Sequence, residues 1–197
     1  MIDLDELKRY EKEAINKTIL MMAYNPSCAR IFSHEANIEI KERISEIVDL
    51  LPSIDTEEDF NREHKRVMDS IVSDVKNIRK NNPNGEISYG QAQKGLNVFL
   101  KVYVDWANLP SVEVSNKLRH CLHCPLDSVV MNTIKREEKG LYKKHGNPPC
   151  KIRDIKNYEQ YFSWQRLIRE IVSRNDASQK PLLIDIIWYI DSLKKKK

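Results

Sequence analysis

Residues Gln91–Trp106 read QAQKGLNVFLKVYVDW. On a wheel of about 100° per residue, Gln91, Lys94, Asn97, Lys101 and Asp105 share one arc of roughly 120°. Most of the remaining surface is apolar: Leu96, Phe99, Leu100, Val102, Tyr103, Val104 and Trp106. No strict alternation is present, and the apolar positions recur at helical spacing, which predicts a helix over about Tyr89–Trp106. A helix this apolar must be largely buried. Buried lysines are costly unless paired, so the polar stripe is expected to face a cleft or water. The plainer reading is an amphipathic helix with a narrow solvated face, since Val98 interrupts the stripe.

The flanking segments carry the same period. Leu4, Leu7, Ala14, Ile15, Thr18, Ile19 and Met22 predict a helix over Asp3–Tyr24, closed by Asn25-Pro26 because the residue before proline avoids the helical region. Ile38, Ile40, Ile44, Ile47 and Leu50–Leu51 predict a second over Glu35–Leu51, stopped by Pro52. A third begins at Asp55/Thr56, where TEED resembles a capping box, and runs to about Lys80 with Phe60, Val67, Ile71, Val75 and Ile78 on one face. Asn81-Asn82-Pro83-Asn84-Gly85 is a strong turn signal. Leu126–Lys135, Asn157–Arg174 and Pro181–Leu193 complete the set, with Gly140–Cys150 as a loop and Leu109–Asn116 unassigned. The expectation is an all-α chain of about seven helices in a compact orthogonal bundle. It is read as one domain over residues 1–193, helices 1–80 packing on a core at 86–193, with a lysine tail at 194–197.

Composition narrows the class. Of 197 residues, 41% are apolar, and Gly and Pro number only 5 and 8, which excludes collagen-like and wholly disordered chains. The longest apolar stretches, Ile19–Tyr24 and Val98–Val104, fall far short of the roughly 20 residues that span a bilayer. The acidic N-terminal run MIDLDELKRYEKE does not read as a signal peptide. Four cysteines (Cys28, Cys121, Cys124, Cys150) are then expected as free thiols in a reducing, cytoplasmic compartment. The net charge of +4 is unevenly divided. Residues 1–116 hold 15 Lys+Arg against 20 Asp+Glu, and residues 117–197 hold 18 against 9. Such a basic second half raises the question of a polyanionic partner.

Two constellations could carry chemistry. HCLHCPLDS (His120–Ser128) pairs cysteines, Cys121 and Cys124, beside histidines, which invites a zinc reading with the remaining ligands from His145 and Cys150 or from His120 and His123. No second cysteine pair completes it, and two buried thiols at a turn are the simpler account. Asp127 follows Pro125 at the start of an apolar helix, where a carboxylate commonly caps the helix. The same position also holds a carboxylate rigidly towards whatever lies in front of that helix.

Lys94 in a long apolar helix, with Pro125-Leu126-Asp127 33 residues later, resembles the helix–hairpin–helix DNA glycosylases, above all the archaeal 8-oxoguanine DNA glycosylase type. Pro181-Leu182-Leu183-Ile184-Asp185-Ile186-Ile187-Trp188 is similar to a late helix that supplies an acid and a tryptophan to the base pocket in that branch. The family's hairpin carries Gly-x-Gly just before the lysine, whereas here Gly90 alone stands four residues upstream. The chain also looks like small uncharacterised prokaryotic proteins, a likeness that implies no activity.

The glycosylase resemblance implies Lys94 as nucleophile on C1′ of a damaged nucleotide and Asp127 as its assisting carboxylate. Gln91, Asn97, Lys101, Asp185 and Trp188 would line the substrate site, and Trp106, Trp164 and Trp188 are candidates to stack on a flipped base. An amine attacks only when neutral, a form that burial favours. No cofactor or metal is implied. The basic groups Lys143, Lys144, His145, Lys151 and Arg153 and the tail Lys194–Lys197 could neutralise phosphates. Nucleic acid is thus the expected partner, with no membrane. The alternative is a non-catalytic helical module that binds nucleic acid or protein and whose polar stripe is structural. Gly-rich phosphate loops, Gly-x-Ser-x-Gly and His-Glu-x-x-His are absent from the sequence.

Overall fold

The computed structural model describes residues 3–77, 85–175 and 180–194. Among these residues the regular structure is helical and there is no strand. The helices are α1 (Leu4–Cys28), α2 (His34–Ser45), α3 (Glu57–Asp74), α4 (Tyr89–Leu100), α5 (Val112–Leu118), α6 (Ser128–Glu137), α7 (Lys139–Lys144), α8 (Tyr158–Asn175) and α9 (Ile186–Lys194). Short 3-10 turns lie at Leu51–Ser53, Ile152–Asp154 and Pro181–Asp185.

Local chemistry explains where most of them start. Asp3, Ser33, Thr56, Ser88, Ser111 and Asp127 each accept a backbone N–H of the first turn they precede. Side-chain oxygens satisfy donors that a helix N-terminus otherwise leaves unpaired. The Thr56 hydroxyl accepts from Asp59 N and donates to the Asp59 carboxylate at 2.8 Å. At α4 the box is complete, because the Gln91 side chain also takes the Ser88 N–H at 3.0 Å.

Several boundaries differ from the sequence expectation. α1 continues through Asn25-Pro26 to Cys28, with Pro26 on its exposed side, where the carbonyl it cannot bond stays within reach of water. α2 ends at Ser45, and the chain tightens into three-residue turns that bury Ile47, Val48, Leu51 and Ile54 together. α3 ends at Asp74, because Val75 turns extended to reach the core. Ile78 and Asn81–Asn84 lie outside the described residues, as do Lys195–Lys197 of the tail. The unassigned Leu109–Asn116 holds the start of α5, and α7 occupies the front of the expected loop, anchored by buried Leu141 and Tyr142.

The helix expected over Tyr89–Trp106 changes winding after Leu100. Residues Lys101–Trp106 form a π turn, with Ala107 N bonded to Val102 O at 2.9 Å. The 100° wheel therefore misplaces Asp105 and Trp106, since a π turn advances less per residue. One buried cluster runs from Leu20 to Leu182 and draws on every long helix. α4 lies in its middle, against α1, α2, α3 and α8. Trp164, Tyr24, Tyr103, Tyr161, Phe60 and Phe99 are its largest fully buried members. Outside it, α1 exposes Leu4, Leu7, Tyr10 and Met22, and α9 exposes Ile186, Tyr189, Ile190 and Leu193.

Candidate functional site

α4 carries a buried amide, Gln93, one residue before Lys94. Its Oε1 accepts the Leu126 N–H at 3.1 Å, and its Nε2 donates to Leu126 O at 2.9 Å and to Gly90 O at 3.0 Å. The turn that presents Asp127 is thereby fixed to the helix that carries Lys94. Gln165 on α8 holds the same turn from behind, through Cys124 N at 3.0 Å and Cys124 O at 2.9 Å.

The network extends inward. Asn97 Nδ2 donates to Gln93 Oε1 at 2.9 Å and to the Tyr161 hydroxyl at 3.0 Å. Asn97 Oδ1 can only accept, so the His64 nitrogen 2.7 Å away is the protonated Nε2. Tyr161, already accepting from Asn97, donates to His123 Nδ1 at 2.7 Å, and His123 Nε2 donates to Asn61 Oδ1 at 2.8 Å. His123 is therefore neutral, and burial favours the neutral form of His64 as well. Burial holds His64 down at about 4. His123 lies well below its ordinary value, first through burial and then through the neighbouring His64, whose ring centroid is 4.5 Å away. His64 Nδ1 has no hydrogen-bond partner among the described residues.

The expected site residues separate into three groups. Gln91 completes the α4 capping box, and Asn97 sits inside the buried network. Lys101 and Asp185, both buried, form an ion pair at 2.5 Å, with the Lys101 ammonium 4.6 Å from the Trp106 ring centroid. The buried lysine is thus paired rather than turned to a cleft or water. Asp105 is also paired, with Lys180 at 2.6 Å and Arg119 at 3.3 Å. Lys94 and Asp127 form the third group. Asp127 Oδ1 caps α6 through Val130 N at 2.9 Å. Lys94 is half-buried and makes no hydrogen bond or ion pair with a described residue, Asp127 included.

Cys124 reports what surrounds the turn. Burial raises its thiol well above the ordinary range, Asp185 and Asp127 raise it further, and Lys101 opposes them. Lys101, Asp127 and Asp185 thus all act on this one thiol. The field of Lys94 acts instead on Cys28 of α1, whose thiol burial pushes up to about 12. Of the tryptophans, Trp164 is core, with its indole N–H on Pro149 O at 2.9 Å, so it is not available to stack on a base. Trp106 is 62% exposed. The Trp188 side chain lies outside the described residues.

The four cysteines are free, and no group of three or more His, Cys, Asp or Glu gathers among the described residues. His120 is exposed, while both nitrogens of His123 are engaged by Tyr161 and Asn61. Arg169 clamps the start of this loop through His120 O and Cys121 O, each at 2.8 Å.

The sequence presents His123 as a candidate zinc ligand rather than a member of a hydrogen-bond network, and it does not single out Gln93, His64 or Tyr161. A histidine in line with Phe60, Val67 and Ile71 was the available signal for His64. Gly90 also proves to have a packing role. A Cβ there would stand 2.0 Å from Ile152 O, and Gly90 N donates to Ile155 O at 3.2 Å. The glycine that stood alone in place of the hairpin pair seats residues 152–155 against the first turn of α4.

An open groove of about 670 Å³ runs between α1 and α2, lined by Lys12, Asn16, Leu20, Lys41, Val48 and Asp49 among others, and none of the expected site residues reaches it. No helix among the described residues is long and apolar enough to cross a membrane. No protein-family model, curated protein or solved structure matches this chain.

Proposed function

We propose that this chain is a DNA-repair glycosylase/lyase-like protein in which Lys94 is the nucleophile and Asp127 the assisting carboxylate. The observation that carries the reading is the double hydrogen bond between Gln93 and Leu126, which ties together the immediate neighbours of the two groups. Two further facts support it: the Lys94 ammonium has no partner among the described residues, and Asp127 Oδ1 is held by the α6 N-terminus while Oδ2 has no bond there.

In this reading the neutral Lys94 amine attacks C1′ of the nucleotide. The base departs with the glycosidic electron pair and takes up a proton. The nitrogen then loses one proton. The C1′–O4′ bond breaks with its electron pair going to O4′, which takes up a proton, so that an iminium stands at C1′. Loss of a C2′ proton expels the 3′ phosphate and cuts the strand. Asp127 stabilises the positive charge that develops on the sugar.

A non-catalytic binding module is the second reading, and a different observation favours it. Asp127 already serves as a helix cap, Asn97 and Gln93 as internal struts, and Lys101 is neutralised by Asp185. A duplex with one 8-oxoguanine or one abasic site separates the two. The lyase reading expects base release or strand cleavage by the wild type and none by Lys94→Gln. Equal activity of the variant, or no turnover of either duplex by folded wild type, leaves the binding module.

A further inference from the structure

Residues Lys139–Lys156 contain six Lys or Arg and a single acid, Asp154, a larger excess than the +4 of the whole chain. The segment is α7, the turn after it, and the 3-10 turn Ile152–Asp154. It is rigidly built. Tyr142 donates its hydroxyl to Pro148 O at 2.8 Å, Asn147 N donates to Tyr142 O at 3.1 Å, and Trp164 holds Pro149 O. Its far end is clamped to α4 by Ser88 Oγ on Ile152 O at 3.1 Å and by the close passage at Gly90. The apolar side chains Leu141, Tyr142 and Ile155 point inward, so the cations are left outside.

Five of the six behave alike. Lys139, Lys143, Lys151, Arg153 and Lys156 are exposed and have neither an ion pair nor a side-chain hydrogen bond with a described residue. Lys144 alone is answered, by Glu170 at 2.8 Å. Elsewhere Lys8, Arg9, Lys12, Arg43, Arg62, Lys65 and Arg66 each have a carboxylate within 4 Å. The exposed Lys17, Lys76 and Lys135 have none among the described residues, but they are scattered over α1, the chain just past α3, and α6 rather than gathered in one segment. Unanswered cations on a fixed backbone strap suit a partner with regularly spaced single negative charges.

We propose that the strap Lys139–Lys156 is the surface on which the phosphodiester backbone of a nucleic-acid duplex docks, delivering it to the first turn of α4 just ahead of Lys94. The choice of nucleic acid rests on the proposed function, but the docking surface does not need Lys94 to react. It takes the place of the glycine hairpin in the resemblance, because Gly90 here seats the strap.

The test is fluorescence anisotropy with a labelled 20-base-pair duplex over a series of NaCl concentrations. Each phosphate neutralised contributes about −0.9 to the slope of log K against log salt, so five cations predict a slope of about −4.5. Lys143→Gln/Lys151→Gln/Arg153→Gln is expected to flatten it by about 2.7. Lys8→Gln/Lys12→Gln on α1 is expected to leave it unchanged. A wild-type slope shallower than about −2, a triple variant that keeps the wild-type slope, or binding to phosphatidylserine vesicles with none to the duplex would each overturn the proposal. Lys94→Gln is expected to bind like wild type. Loss of cleavage with binding retained therefore indicts the catalytic group, and loss of binding in the strap variant indicts the surface.

Discussion

The side chain of Gln93 satisfies both backbone groups of Leu126, a residue 33 positions further along the chain, and does so in the dry interior between α4 and α8. A single amide thus fixes the distance between the helix bearing Lys94 and the turn bearing Asp127. Gln93→Leu strands the N–H and C=O of Leu126 and the Asn97 amide it also receives. Each buried polar group left unsatisfied costs about 1–3 kcal/mol. Urea denaturation is expected to show a loss of about 3 kcal/mol. A loss under about 1 kcal/mol would mean that water or a rotated neighbour replaces the amide.

The two buried imidazoles make the fold sensitive to acid. Both are neutral in the folded chain, and burial depresses both. The unfolded chain protonates its histidines near 6.5. Their contribution is complete above that pH and is lost as pH falls towards about 4, where folded His64 titrates. Each proton taken up only by the unfolded chain changes stability by about 1.4 kcal/mol per pH unit. Unfolding free energies measured at pH 7.5, 6, 5 and 4.5 should fall steeply, and His64→Phe should roughly halve that slope. A flat profile between pH 6.5 and 4.5 contradicts the buried neutral pair.

The glycines should respond in opposite directions. Gly90→Ala forces a Cβ into Ile152 O and is expected to destabilise by about 1–3 kcal/mol. Gly140, in α7, has nothing within 4 Å of an added Cβ. Gly140→Ala is expected to stabilise by about 0.5 kcal/mol through helix propensity. Thermal melts of the two variants check the pair, and equal shifts would remove the packing role assigned to Gly90.

Lys101 and Asp185 should behave as a buried pair. Lys101→Met leaves the Asp185 carboxylate without its lysine, a change of about 3–5 kcal/mol when a buried ion loses its partner. Lys101→Met/Asp185→Leu should recover most of that loss. A double variant as unstable as the single one would show that the two charges are not coupled.

How much of this was legible in the sequence follows from how local each signal was. Thr56 and Asp127 announced their helix starts because a cap and the backbone N–H it accepts from lie three residues apart. The helical class was legible for the same reason, from the spacing of Leu, Ile and Val. The stop at Asn25-Pro26 failed because proline is excluded by a clash and a lost bond, both tolerable on an exposed last turn. The π turn after Leu100 left no mark in residue type, so the wheel gave the wrong angles to Asp105 and Trp106. Gln93 was passed over because it lies outside the polar arc, and its partner stands 33 residues away. The pairing of Lys101 with Asp185, 84 residues apart, is equally non-local.

Attack of Lys94 on a sugar carbon leaves an imine that borohydride reduces to a stable adduct. The full chain is mixed with a duplex carrying an abasic or 8-oxoguanine site, reduced, digested and sequenced by mass spectrometry. A covalent protein–DNA adduct is expected, with its deoxyribose remnant on Lys94, and Lys94→Gln should abolish it. No adduct from the folded wild type, or an adduct that maps to another lysine and survives Lys94→Gln, would contradict attack by Lys94.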